Sequence, residues 1–121
     1  NLPKVNVWGT GTPKREFLYI DDMARASIHI MNLEKFYFYK NISTTCSHIN
    51  IGSGEDFTIK DLAEIIKEVI NYKGAINFDS SKLDGNPSKL IDSTLINNLN
   101  FKAEISLKDG LYRTYQDFIR F

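Results

Sequence analysis

The chain is organised around residues 5–22, which read Val5-Asn6-Val7-Trp8-Gly9-Thr10-Gly11-Thr12-Pro13-Lys14-Arg15-Glu16-Phe17-Leu18-Tyr19-Ile20-Asp21-Asp22. Residues 5–8 alternate apolar and polar side chains and predict a short strand. The glycines and the proline of residues 9–13 predict a turn with exposed backbone. The apolar, aromatic run at residues 17–20 predicts a second strand, so we expect a hairpin-like unit. Asp21-Asp22 then offers a carboxylate cap for a helix that begins at Met23.

Two side chains at this turn have the chemistry of a ligand site. Trp8 ends the first strand and offers a flat stacking surface, while Arg15 begins the second strand and offers a fork of donors matched to phosphate oxygens. Together they predict a site for a nucleotide diphosphate. The residue types alone leave a second interpretation open, in which Trp8 fills a core and Arg15 pairs with Glu16 or Asp22 on the surface.

Three motifs occur in order along the chain: W-G-T-G-T-P-K-R-E-F-L-Y-I-D-D-M-A, H-I-N-I-G-S-G and K-L-D-G-N-P-S-K-L. In this order they resemble the C-terminal part of the GDP-L-fucose synthase family, in the extended short-chain dehydrogenase/reductase superfamily. The resemblance implies an α/β fold of the NAD(P)-binding Rossmann superfamily, here its C-terminal substrate-binding portion. Residues 1–121 would then bind a nucleotide sugar, and the N-terminal Rossmann cofactor domain would be absent from this chain.

The composition narrows the class of protein. A chain of 121 residues is long enough for one small domain, and 42% hydrophobic and 25% charged residues are ordinary for a globular protein. Fifteen basic side chains balance fifteen acidic ones, which gives no electrostatic reason to expect a nucleic-acid or membrane partner. The single cysteine, Cys46, excludes an intrachain disulfide and indicates a reducing compartment. No apolar run is long enough to span a bilayer, so we expect a cytoplasmic protein.

Periodicity assigns the remaining elements. We expect short strands, one long helix and a terminal helix, with helices at residues 23–33, 59–72, 94–99 and 107–118 and strands at residues 48–51 and 75–78. Residues 34–47 show no clean period and predict a helix end packed under a loop.

Several residues mark where these helices begin and end. Thr58 with Asp61, and Ser106 with Asp109, have the spacing of helix capping boxes. Ends are predicted at Lys73-Gly74 and at Asn100, and a close packing contact is expected at Gly110.

Residues 79–89 form a polar loop with two lysines and a carboxylate around Gly85 and Pro87. By composition alone this is a solvated connection, mobile until a ligand orders it. In members of the family that the chain resembles, the matching loop closes over the nucleotide sugar. The resemblance therefore implies that Asp84 binds the ribose hydroxyls and that Lys89 holds the diphosphate together with Arg15, beside Trp8.

The chain lacks the sequence motifs that reduction of a keto sugar by a nicotinamide cofactor would require. None of the six tyrosines is followed by lysine four residues later, which is the spacing that the superfamily uses for proton donation. The turn at Gly52-Ser53-Gly54 lacks the third glycine of a dinucleotide fingerprint, so a plain tight turn is favoured. Catalytic, cofactor-binding and metal-binding residues are therefore not predicted here, and neither Cys46 nor His48 is assigned a catalytic role.

The resemblance implies a GDP-sugar substrate, and NADP(H) bound by the full-length parent but not by this fragment alone. It also implies a homodimer formed through the part of the parent that is missing here. The parent would convert GDP-4-keto-6-deoxy-D-mannose to GDP-L-fucose by epimerisation and reduction. Two other classes remain open: another nucleotide-sugar epimerase or dehydratase of the superfamily, and a non-catalytic nucleotide-sugar-binding protein.

Overall fold

The computed structural model describes residues 3–43, 45 and 48–120, and it confirms an α/β fold of short strands and helices. Cys46 lies outside the described residues. The elements follow in the order β1 Lys4–Trp8, β2 Lys14–Glu16, α1 Ile20–Met31, α2 Lys35–Asn41, β3 Asp56–Thr58, α3 Ile59–Val69, β4 Ala75–Asp79, α4 Thr94–Asn98 and α5 Leu107–Phe118.

The described strands form two separate pairs. β1 pairs in parallel with β4, and β2 pairs antiparallel with β3. The expected hairpin-like unit is therefore wrong, because its two strands belong to different sheets. A parallel pair needs a long crossover between its strands, and the chain from β2 to α3 supplies it.

The turn between β1 and β2 docks on the start of α3 instead of closing a hairpin. The Ile59 N–H donates to the Pro13 carbonyl, and the Lys60 N–H donates to the Gly11 carbonyl, each over 2.9 Å. These are two of the N–H groups that the first turn of a helix leaves without an intrahelical partner. The glycine turn is thereby fixed to a rigid element.

The second strand lies earlier than the apolar run at residues 17–20 indicated. Ladder pairing covers β2 only, and α1 already begins at Ile20. Phe17, Leu18 and Tyr19 instead line an apolar groove between α3 and α5. The prediction of a strand at residues 17–20 is wrong because these side chains pack against helices and not within a ladder.

The expected cap at Asp21-Asp22 is also wrong, since both residues lie inside the first turn of α1. Asp22 is fully buried, and one carboxylate oxygen accepts hydrogen bonds from the backbone N–H groups of Glu104, at 3.1 Å, and Ile105, at 2.9 Å. The other oxygen pairs with Arg25 at 2.8 Å. A buried carboxylate needs such partners, and through them Asp22 fastens the C-terminal segment to α1.

The core is small. Its buried apolar side chains are Ala26, Ile96, Leu99 and Phe101. Ile49 and Ile51 pack against this cluster from a segment that lies outside any strand. The predicted strand at residues 48–51 is therefore wrong, although the half-buried Ile49 and Ile51 pack on the same core. A strand also needs a neighbouring backbone, and no described strand offers one there.

The long helix begins as predicted and ends earlier. Thr58 and Asp61 form a reciprocal capping box, which confirms the predicted start of α3. The helix ends after Val69, where Asn71 takes a left-handed φ of 54°, so the predicted stop at Lys73-Gly74 is wrong. Residues 35–41, expected as the end of a preceding helix, form the separate helix α2.

Three predictions for the C-terminal part are confirmed. Asn100 takes a left-handed φ of 65° after α4, and Ser106 caps α5 by accepting from the Asp109 N–H at 3.2 Å. Gly110 is buried against Tyr19: a Cβ placed on the glycine would lie 2.9 Å from the Tyr19 ring. The apolar groove therefore closes by direct contact between α5 and the segment that precedes α1.

Candidate functional site

The glycine turn provides the floor of a concavity. Gly9 and Gly11 have φ values of 86° and 79°, a conformation that side chains rarely adopt. A Cβ on Gly11 would lie 2.6 Å from the Phe78 ring, and one on Gly9 would collide with the Asp84 carboxylate. The turn therefore needs both glycines for backbone conformation. Gly11 also allows the close approach of Phe78, and Gly9 that of residues 80–89, which we call the site loop.

The concavity brings together three of the four predicted site residues. It is lined by Trp8, Gly11, Pro13, Arg15, Ile59, Leu83, Asp84 and Gly85, and it measures about 80 Å³. Lys89 is exposed and does not belong to this lining.

Asp84 joins the site loop to the glycine turn. One carboxylate oxygen accepts from the Thr10 N–H at 2.9 Å, and the other accepts from the Thr10 hydroxyl at 2.6 Å. Each carboxylate oxygen has a further lone pair, so the group can still accept a hydrogen bond from a ligand. The first task of this carboxylate in the structure is to hold the loop.

Arg15 has no acidic partner among the residues that the structure describes. Its Nη1 donates to the backbone carbonyls of Lys14 and of Asn86, the latter at 2.8 Å. The interpretation in which Arg15 pairs with Glu16 or Asp22 is thus wrong. A guanidinium carries five N–H donors, so the two contacts leave its outer edge able to meet a phosphate.

Trp8 is three-quarters exposed, which contradicts the interpretation that it fills a core. The Lys82 ammonium lies 5.8 Å from the centroid of its ring, at cation–π distance. Leu83, next in the loop, is 98% exposed. The indole is therefore an exposed part of the lining of the concavity, with the Lys82 ammonium over its ring.

Lys14 and Ser88 anchor the site loop on its other side. The Lys14 N–H donates to the Pro87 carbonyl at 2.7 Å, and the Ser88 hydroxyl donates to an Asp56 carboxylate oxygen at 3.2 Å. The same carboxylate pairs with the Lys14 ammonium at 3.2 Å. The loop is tied down by its carbonyl oxygens and side chains along most of its length.

Three participants were missed by the sequence interpretation: Thr10, Glu16 and Lys82. No local pattern links Thr10 to Asp84, because 74 positions separate them. Lys82 did carry a signal, since it is one of the two lysines of the site loop, and the resemblance favoured the other. Glu16 was considered only as a possible surface ion-pair partner of Arg15.

Within the described residues, two groups have shifted pKa values, and each shift has a structural cause. Hydrogen bonds from the side chain and the backbone N–H of Thr94 lower the pKa of the Asp92 carboxyl. The hydrogen bond to Glu104 raises the pKa of the Arg25 guanidinium. Neither group lines the concavity.

The Gly52-Ser53-Gly54 turn does not fit a dinucleotide. The Glu16 carboxylate occupies it, accepting from the Gly54 N–H at 2.7 Å. In the described part of the chain, no three side chains of metal-ligating type lie close enough to hold an ion. Across the same residues, no helix combines the length and apolar character needed to cross a membrane.

Comparisons with known proteins agree with the motifs. The family model described as "NAD dependent epimerase/dehydratase family" matches residues 1–52. The chain is 52% identical over 119 residues to GDP-L-fucose synthase of Escherichia coli K12, covering 98% of this chain and 37% of that protein. It is 44% identical to a probable GDP-L-fucose synthase of rice, covering 98% of this chain and 34% of that protein. The chain thus spans about a third of the length of the curated relatives that it matches.

Solved structures give the same result. A GDP-6-OMe-4-keto-L-xylo-heptose reductase from Campylobacter jejuni superposes with a TM-score of 0.86 at 35% identity, over 97% of this chain and 34% of that one. A GDP-mannoheptose C4 reductase from the same organism, with NADP bound, gives 0.81 at 37% identity, over 96% and 35%. The chain is therefore similar to extended short-chain dehydrogenases/reductases, and the relatives that it matches along nearly all of its length include GDP-L-fucose synthases.

Proposed function

We propose that this chain is the C-terminal, nucleotide-sugar-binding portion of a larger GDP-sugar epimerase/reductase, called below the complete protein. The reaction that the similarity supports best is that of GDP-L-fucose synthase: epimerisation of GDP-4-keto-6-deoxy-D-mannose and reduction by NADPH. Relatives named GDP-L-fucose synthase, and GDP-sugar reductases among the solved structures, support a GDP-linked substrate.

The observation that carries the proposal is Arg15, a guanidinium without an acidic partner in the described residues, set in a concavity beside an exposed indole. Arg15 and Lys89 hold the diphosphate, Asp84 accepts from the ribose hydroxyls, and Trp8 lines the nucleotide or sugar pocket. Lys89 reaches the diphosphate only if the site loop shifts or the ligand extends beyond the concavity, since the lysine is not part of its lining.

The concavity is one wall of the proposed site. Small-molecule sites measure roughly 300–1,000 Å³, and about 80 Å³ is too little for a nucleotide sugar. The remaining walls, the proton donor and the NADP(H) site then belong to the N-terminal portion of the complete protein. When bound there, NADPH would supply the hydride for reduction of the keto sugar. This chain contributes binding and orientation of the nucleotide sugar and no step of bond making. A homodimer formed through the N-terminal portion and a cytoplasmic location remain predictions.

The test is calorimetry on the complete protein with GDP, UDP and NADPH, comparing the unaltered protein with Arg15→Ala. We expect the variant to bind GDP about 10- to 100-fold more weakly, because charge-assisted hydrogen bonds to the diphosphate are lost. NADPH affinity stays the same. Arg120→Ala is the matched control, because Arg120 is an exposed arginine just beyond α5 whose ion pair within the described residues is with Asp117.

Each outcome distinguishes the classes of function. Equal GDP affinity in the variant and in the unaltered protein would show that Arg15 has a structural role and does not bind the diphosphate. UDP binding as tight as GDP binding favours another nucleotide-sugar epimerase or dehydratase. Nucleotide binding without turnover of GDP-4-keto-6-deoxy-D-mannose and NADPH favours a non-catalytic binding protein.

A further inference from the structure

We propose that Glu16 is a positioning residue of the nucleotide-sugar site. Its carboxylate joins the C-terminal end of the site loop to the Gly52-Ser53-Gly54 turn, and so sets where the loop lies over Arg15. The inference rests on the proposed function, and it gives the H-I-N-I-G-S-G motif a task other than holding a dinucleotide.

The two oxygens of this carboxylate face two different segments. Oε2 accepts from the Ile91 N–H at 3.0 Å, two residues beyond the site loop. Oε1 accepts from the Gly54 N–H at 2.7 Å and from the Ser53 hydroxyl at 3.3 Å. Hydrogen bonds to a charged group are stronger than neutral ones. A single side chain therefore connects three parts of the chain that are distant in sequence.

The glycine turn is shaped to receive this side chain. Gly52 is buried, and a Cβ added to it would lie 2.5 Å from Glu16 Oε1. Gly54 has a φ of 81°, which turns its N–H toward the same oxygen. The first glycine provides space and the second provides backbone conformation. Both requirements of the motif are explained by the carboxylate.

Glu16 completes a series of contacts along β2. The Lys14 N–H holds the Pro87 carbonyl, Arg15 holds the Asn86 carbonyl, and Glu16 holds the Ile91 N–H. Three neighbouring residues of one strand thus hold two points of the site loop and the segment just beyond its C-terminal end. Loss of the Glu16 contact frees that end, and the loop then no longer presents a fixed register to Arg15. Glu16 acts on the ligand only through its neighbours.

The experiment uses Glu16→Gln in the complete protein. A glutamine keeps the shape but has one acceptor oxygen, so its NH₂ group faces one of the backbone N–H donors. We expect GDP affinity to fall about tenfold, as for the loss of one hydrogen bond to a charged group. NADPH affinity should be unchanged. For the keto sugar, KM should rise while kcat is kept, because the reacting atoms are untouched.

Gly52→Ala disrupts the same contact from the glycine turn, because the added methyl group collides with the Glu16 carboxylate. It should likewise weaken GDP binding and leave NADPH affinity unchanged. The double variant should be no worse than the more severe single variant, since both remove one interaction. Glu55→Gln is the control: this exposed glutamate lies beside the same turn, and its carboxylate makes no contact that the structure describes.

Every outcome decides the proposal. The proposal is supported if both variants lose GDP affinity and keep NADPH affinity, while Glu55→Gln changes neither. Unchanged GDP affinity in either variant overturns it. Parallel weakening of GDP and NADPH binding also overturns it, because that marks general destabilisation. If the unaltered protein fails to bind GDP, the proposed function falls together with this role for Glu16, whereas GDP binding that Glu16→Gln leaves intact sinks the positioning role alone.

Discussion

The Asp84 carboxylate has two candidate tasks, and a single substitution can separate them. It holds Thr10 across the glycine turn, and we propose that it also meets the ribose. Asp84→Asn keeps the first task, because an amide oxygen can accept from the Thr10 N–H while the amide NH₂ donates to the Thr10 hydroxyl. It removes the charge that strengthens bonds to ribose hydroxyls.

We therefore expect Asp84→Asn to bind GDP about tenfold more weakly while the Thr10 amide stays protected from hydrogen exchange. Asp84→Ala, the comparison variant, should lose both GDP affinity and that protection. Calorimetry and amide exchange on the complete protein measure the two effects separately. GDP binding by Asp84→Asn at the unaltered strength would make Asp84 a holder of the loop and nothing more.

Residue chemistry was predictable where a side chain has few other uses. A tryptophan and an arginine beside a glycine turn indicated a binding surface, and the structure places Trp8, Arg15 and Asp84 on one concavity. Contacts between distant residues could not be read in the same way. Thr10 and Glu16 gain their roles from segments 74 and 75 positions away, and nothing near them in sequence records it.

At the scale of elements, α3 supports the site through its first turn. Its capping box satisfies the Asp61 N–H, while Ile59 and Lys60 donate to the glycine turn. Thr58→Ala removes the cap and should lower the free energy of unfolding by about 1 kcal/mol. Thr58→Ser should stay near the unaltered value, since it retains the hydroxyl. Urea denaturation of the complete protein compares the three, and equal midpoints for Ala and Ser would show that the cap contributes nothing.

Helices were predicted better than strands for a physical reason. A helix satisfies its backbone within one segment, so the caps at Thr58 and Ser106 and the stop at Asn100 could be read locally. A strand exists only beside a partner. The apolar side chains of residues 17–19 and of Ile49 and Ile51 are half-buried, yet the ladders formed at other residues, because partial burial does not supply a neighbouring backbone.

At the scale of the whole molecule, the site loop is the part that bridges both sheets. Composition predicted a loop that is mobile until a ligand binds, and this stays a prediction. The structure identifies the backbone N–H groups whose hydrogen exchange would report on the mobility of this loop. Among the described residues, no backbone N–H of residues 83–89 donates a hydrogen bond, whereas the Thr10 and Lys14 N–H groups donate to the loop. Docking of the loop is therefore reported by the Thr10 and Lys14 N–H groups, which lie outside the loop.

Amide exchange on the complete protein, with and without GDP, tests this arrangement. Without nucleotide we expect slow exchange at Thr10 and Lys14 and fast exchange at residues 83–89, because only the former are hydrogen-bonded. Added GDP should slow exchange within residues 83–89, as the free N–H groups meet phosphate or ribose oxygens, and should leave residues 61–69 of α3 unchanged. Fast exchange at Thr10 and Lys14 in the free protein would mean that the loop is undocked in solution. A loop whose exchange GDP does not alter would place the nucleotide elsewhere and remove Asp84 and Lys89 from the site.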